Sequence, residues 1–361
     1  MVWRGWVLVM LVGCRPVERP VVVPELRLAL TERWSGGGRL ILADEHGDRW
    51  AVLAAAPEDG PVRDEQPAFS PDGRWLAFVS SRGRALAETS LWLMPAAVGA
   101  TPMRLTDGVG VDVDPAWTPD GAALVFARRD DREFALVQLT LDLRAGGVAI
   151  GPIERLAPAV GVQQLAPAVA TDGRIAFQEV ALGVAVESRI AVRHPDGAVS
   201  YLTDGPADVT PSWAPRGGLV YGARSPAGDL DLWRIAQDEA GTPLLALPGS
   251  DESGPRWSHD GRWLFATSIA HDPIDGVELS SVIYLDAEAQ PPVARMLRDR
   301  AGTIPRQGPA PAPAALDAAI LAAGPPYARA LDDARRGRAI ESELDHARDQ
   351  ARAAARTGAG L

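Results

Sequence analysis

Short apolar runs, broken every few residues by Gly, Pro or Asp, fill the chain from about residue 26 to residue 298. Leu26 to Thr31, Arg39 to Ala43 and Trp50 to Leu53 open the series, and Ser90 to Met94 and Met103 to Asp107 continue it. Branched and aromatic side chains in runs of this length, bounded by turn formers, predict strands. No stretch of this interval shows the periodicity of an amphipathic helix.

The strands come in a repeat. The stretch PAFSPDGRWLAF at residues 67–78 recurs at Pro115–Phe126, Pro167–Phe177, Pro211–Tyr221 and Pro255–Phe265. The leading prolines lie 48, 52, 44 and 44 residues apart. That period suits a four-stranded propeller blade of about 40–50 residues. The remainder of each period supplies two more strands, such as Asp231 to Ile235 and Leu244 to Leu247, or Val199 to Asp204. The three runs before residue 54 read as the last three strands of one further blade. The expectation is an all-β, six-bladed β-propeller of four-stranded antiparallel blades, its first blade short of an inner strand. Closure draws that strand either from Val21-Val22-Val23 or from residues 282 to 297.

Turn chemistry explains the repeated core. Gly73, Gly121, Gly173, Gly217 and Gly261 close the turn, and Asp72, Asp120, Asp172 and Asp260 precede it; Arg216 takes that place in the fourth copy. Glycine adopts a positive φ without a steric penalty, and Asp can hydrogen-bond the turn's own backbone. Phe69, Trp117, Val169, Trp213 and Trp257 share one position, where they are expected to pack between blades. A residue type that symmetry demands five times is a part of the architecture, so the turn reads as a structural joint rather than a catalytic loop. The aromatic-Ser-Pro-Asp-Gly turn, the apolar strand after it and a later Leu-Trp resemble the TolB-type, WD-like propeller family. The resemblance spans residues 26 to 298. TolB proteins carry a separate α/β domain ahead of the propeller, whereas about a dozen residues separate Cys14 from the first strand here. The partners that the family implies, a peptidoglycan-associated lipoprotein and the Tol envelope machinery, therefore carry over only as an analogy.

The two ends differ from this middle. Arg4 and an apolar run from Trp6 to Val12, too short to span a bilayer, predict a signal peptide over residues 1–13. Leu11-Val-Gly-Cys14 resembles the lipobox of bacterial lipoproteins, and the resemblance implies cleavage before Cys14, lipidation of that residue and a tether over residues 14–25. Arg15, standing where an Asp would signal inner-membrane retention, points to the outer membrane, facing the periplasm. Residues 299–315 read as a Pro/Ala-rich linker. Residues 316–361 read as a helical tail, with Leu331, Ile340 and Leu344 on a narrow stripe that either docks on the propeller or pairs with another helix.

Charge and side-chain chemistry narrow the function. A net charge of −11 disfavours nucleic acid and anionic membrane surfaces and favours a cationic peptide, protein or metal ion as partner. Three residues before each leading proline stand Asp64, Asp112, Gln164, Asp208 and Glu252. Converging around one mouth of the channel, these side chains would bind a divalent cation such as Ca²⁺ or a partner's Arg or Lys; alternatively, each caps backbone N–H groups of its own or the adjacent blade. No other cofactor is expected. The five histidines show no metal-binding spacing, His259 reads as an exposed turn residue, and no G-x-S-x-G elbow is present. The expected function is a non-enzymatic, membrane-anchored, protein-binding scaffold of the cell envelope that uses its propeller face and helical tail. The alternatives are a propeller enzyme, polysaccharide lyase or peptidase-like, and a channel-mouth sensor of metal or small molecules.

Overall fold

The computed structural model describes residues 27–311, except for 35–36, 45–49, 55–61, 98, 131, 145–146, 157–160, 184–185, 237–239, 272–277, 290 and 298–305. The expected signal peptide, the tether with Cys14 and the expected helical tail lie outside the described residues. All regular structure among the described residues is strand, arranged as six four-stranded antiparallel sheets in a ring. The inner strands of blades two to six are Asp64–Phe69, Val111–Trp117, Val162–Val169, Val209–Trp213 and Ser250–Trp257, and each opens a repeat. Blade one contributes Arg27–Trp34, Gly37–Asp44 and Trp50–Val52 from the chain's beginning, as its apolar runs predict.

The missing inner strand comes from neither expected place. Arg306–Pro311 pairs antiparallel with Arg27–Trp34, and Leu28 faces Pro311 in the register. Residues 282 to 297 instead belong to the third and fourth strands of blade six, Glu278–Asp286 and Arg295–Met296. The closing strand falls inside the segment read as a Pro/Ala-rich linker. Its prolines do not prevent pairing, because an inner strand bonds to one neighbour only and leaves its other edge toward the channel. Gly308-Pro309-Ala310 is in fact a sixth copy of the repeat's opening. The second strand of its blade, Arg27–Trp34, comes from the other end of the propeller sequence.

Apolar packing between blades holds the ring. Each of the six interfaces has its own cluster: Leu40, Leu76 and Phe78 join blades one and two, while Leu28, Ile41 and Phe265 join blades one and six. Phe69, Trp117, Val169, Trp213 and Trp257 each pack against the preceding blade, as their shared position predicts. Two of the indoles also bond across the interface: Trp117 Nε1 donates to the Ala68 carbonyl at 2.9 Å and Trp213 Nε1 to that of Ala168 at 3.2 Å.

The repeated turn behaves as its residues demand. Gly73 and Gly121 adopt φ of 71° and 70°. In the first copy the Ser70 hydroxyl donates to Asp72 Oδ1 at 2.6 Å and accepts the Trp75 N–H at 3.0 Å, and Asp72 Oδ1 accepts the Arg74 N–H at 3.0 Å. Thr118 with Asp120 and Ser258 with Asp260 repeat the arrangement. The Thr118 hydroxyl and the Ala122 N–H hold the Asp120 carboxyl below the usual carboxylate range.

Ring closure makes a testable demand. A chain ending at Ile304 lacks the closing strand, leaves the Arg27–Trp34 edge unpaired and uncovers part of the cluster around Ala29. It is expected to lose cooperative thermal unfolding, measured by circular dichroism, whereas a chain ending at Ala315 melts within about 3 °C of the full chain.

Candidate binding site in the central channel

The inner strands of blades two to six are interrupted in the same way. The register with the second strand shifts between Glu65 and Ala68, Val113 and Ala116, Leu165 and Ala168, Val209 and Ser212, and Ser253 and Arg256. The residue before each leading proline takes a positive φ: 54° at Gln66, 56° at Asp114, 48° at Ala166, 47° at Thr210 and 62° at Gly254. This β-bulge bends the strand and turns the pre-proline side chain out of the ladder. Of these five only Gly254 is a glycine, so four non-glycine residues hold a left-handed conformation that is ordinarily unfavourable.

The bulge residues join one blade to the next. Gln66 Oε1 accepts the Asp114 N–H at 2.8 Å, and Gln66 Nε2 donates to Asp114 Oδ1 at 2.6 Å. Asp114 Oδ2 then accepts the Ala166 N–H at 3.0 Å. Thr210 Oγ1 accepts the Gly254 N–H at 2.9 Å. One arc thus ties blades two to four and another ties five to six; Ala166, with no side-chain acceptor, separates them. Burial pushes the Asp114 carboxyl up, against the Ala166 N–H and the charge of Arg256, which pull it down. Spacing drew attention to the residue three places before the proline, so these bulge residues were missed. Polar side chains at Gln66, Asp114 and Thr210 were the available signal.

Beyond the bulge the strands line the channel. A cavity of about 490 Å³ opens between the repeated turns, with Pro115, Pro167, Trp117, Trp213 and Trp257 among its walls. Ala68, Ala116, Ala168, Ser212 and Ala310 occupy one equivalent position on five blades, and the sixth blade puts Arg256 there. Desolvation lowers the Arg256 pKa, and attraction to Asp114 opposes the shift. His259, exposed on its turn, stands at the same rim.

The five residues expected to converge at a channel mouth do not do so. Asp64, Asp112, Gln164, Asp208 and Glu252 are all buried and bonded within the sheets. Asp64 accepts from the Ser80 hydroxyl at 2.6 Å and pairs with Arg82 at 2.5 Å; Asp112 holds the Arg128 guanidinium in a fork at 2.6 and 2.9 Å. Gln164 Oε1 accepts the Leu136 N–H of the adjacent blade at 3.2 Å. Asp208 accepts from the Gly205 N–H at 3.1 Å, and Glu252 from the Ser250 and Ser268 hydroxyls at 2.6 and 3.0 Å. A strand start offers unpaired backbone and neighbouring donors, so an acid there turns inward to satisfy them. Among the described residues no three His, Cys, Asp or Glu lie close enough to hold a metal ion.

Comparison with known proteins follows the architecture. The family described as the TolB beta propeller domain matches residues 60–261. The fold is similar to that of TolB from Acinetobacter baumannii, with a TM-score of 0.61 and 18% identity over 80% of this chain and 67% of that one. A putative TolB from Agrobacterium tumefaciens matches at TM-score 0.56 and 16% identity, over 80% of this chain and 99% of its own. Hydrazine synthase of Kuenenia stuttgartiensis matches at TM-score 0.59 and 16% identity, over 80% and 46%. No curated protein matches the sequence.

Two acids in the same repeated position are expected to respond oppositely to mutation. Asp112→Asn takes from the buried Arg128 its forked carboxylate, leaving Asp107 at 3.7 Å and the more distant charge of Asp130, and should destabilise the fold by about 3–5 kcal/mol in urea titrations. Burial pushes the Asp208 carboxyl up, outweighing the Thr203 hydroxyl and the Gly205 N–H. An acid raised on folding favours the folded state below its unfolded pKa of about 3.9, and that contribution is lost as pH rises through the folded pKa. Asp208→Asn should therefore raise the Tm at pH 7 and change it little at pH 3, as measured by scanning calorimetry.

Proposed function

Because the chain belongs to the TolB β-propeller family, we propose that it is a non-enzymatic, protein-binding scaffold of the bacterial cell envelope that takes a partner segment at the channel mouth. The observation carrying this reading is the cavity of about 490 Å³ between the repeated turns. Its walls are prolines, alanines and indoles fixed on paired strands, with a few polar groups among them. A rigid concave surface of that composition orders little on binding, so more of its apolar contact appears as affinity. A chain of the nidogen/laminin complex, similar in fold at TM-score 0.55 and 11% identity over 80% of this chain and 98% of its own, supports the use of such a propeller in protein assembly.

Lipid on Cys14 would hold the scaffold at the outer membrane, facing the periplasm, and residues 316–361 would supply a second contact. Growth with labelled palmitate is expected to label the protein, and Cys14→Ser to abolish the label. Two or three acyl chains anchor firmly where one does not, so the variant should also leave the membrane fraction.

The binding reading is tested by capture. Full-length protein immobilised in envelope extract should retain a stoichiometric protein partner. Filling the cavity with Ala116→Phe and Ala168→Phe should remove that partner, while Asp208→Asn, buried in its sheet, should keep it. Capture that survives cavity filling in a correctly folded variant would overturn the channel mouth as the contact.

A further inference from the structure

Five blades place Ala or Ser at the channel-lining position, and one places Arg256. The ring does not need a large side chain there, since five equivalents do without it. A half-buried guanidinium in this setting loses hydration, and its surroundings return little. The bond given by Arg256 is from Nη1 to the carbonyl of its own neighbour Pro255, at 2.9 Å. Among the described residues no carboxylate lies within ion-pairing distance. Asp114, the acid whose charge reaches it, already accepts from Gln66 and from the Ala166 N–H. The other charged groups of the wall, Asp172 and Arg174, pair with each other at 2.8 Å, and Arg174 also covers the Trp213 ring. Arg256 thus stands at the wall of a cavity open to solvent with N–H donors beyond the one that bonds Pro255, and an anionic acceptor would complete them.

We infer that the channel mouth recognises a carboxylate on an extended segment of a protein partner, with Arg256 as the residue that receives it. This rests on the channel-mouth reading above for the partner's class, and on Arg256 alone for its charge. The preference runs opposite to the molecule's net charge of −11, which favours cationic partners at long range. Inside a narrow, partly dry mouth the nearest charge decides, because screening by water is weakest there. Arginine also suits a carboxylate by geometry, offering two parallel N–H donors to its two oxygens.

The test uses full-length protein and two blocked peptides, acetyl-Ala-Pro-Asp-Ala-amide and its Asn twin, with binding read by calorimetry and tryptophan fluorescence. The acidic peptide is expected to bind about tenfold or more tightly than its twin, with the difference shrinking as salt rises. Arg256→Ala, which restores the residue of the other blades, should abolish the difference and keep or raise the Tm. Arg256→Lys should retain part of the preference. Equal affinity of the twins, failure of both to bind, or a preference that survives Arg256→Ala overturns the inference. Partner capture with equal twins leaves the scaffold standing and removes only the carboxylate. Unequal twins with nothing captured do the reverse.

Discussion

A closed ring must join the two ends of its chain, and in this molecule one ladder does it. The pairing of Arg306–Pro311 with Arg27–Trp34 completes blade one, and through it the interfaces on both sides. Packing between blades is non-directional and would tolerate many arrangements. The ladder is directional and fixes one. Without it the apolar faces of blades one, two and six would each lose a neighbour, and the channel would have no sixth wall. The closing strand joins the whole propeller sequence into one loop, so its contacts are among the most distant along the chain. Pairings of that kind are the slow part of folding.

Much of this architecture was readable because it recurs. Turns and inner prolines appear five times and the inter-blade aromatic four, and repetition separates a structural requirement from chance. Reading failed where recurrence was incomplete or ambiguous. Gly308-Pro309-Ala310 matches the repeat's opening, but no Asp-Gly pair follows it in the sequence, and composition alone made it look like a spacer. Asp64, Asp112, Asp208 and Glu252 were visible as a set, yet spacing does not give the direction in which a side chain points. Backbone pairing turned them into the sheets, where Ser80, Arg82, Arg128 and Ser268 complete their bonds. Arg256 stood in plain view within the fifth copy. Treated as variation in a repeat, it carried no signal; its meaning emerged only when the other five blades placed small residues around one cavity.

The two kinds of acid also separate by what they do. Those at the strand starts saturate donors inside single blades or across one interface. Asp114, one residue before its proline, instead links three blades at once. A left-handed backbone at that point is unfavourable on its own. Here it lets a side chain reach the next blade's N–H, and the neighbouring bulge receives the same service from Gln66. Strain in each strand is thus coupled to continuity around the ring.

The register of closure has one more consequence. Leu28 lies opposite Pro311, and Pro311 stands at the rim of the cavity. The first strand's beginning and the closing strand's end therefore lie side by side, at the cavity's rim. Any group joined directly to either of these strand ends would stand beside the cavity's entrance.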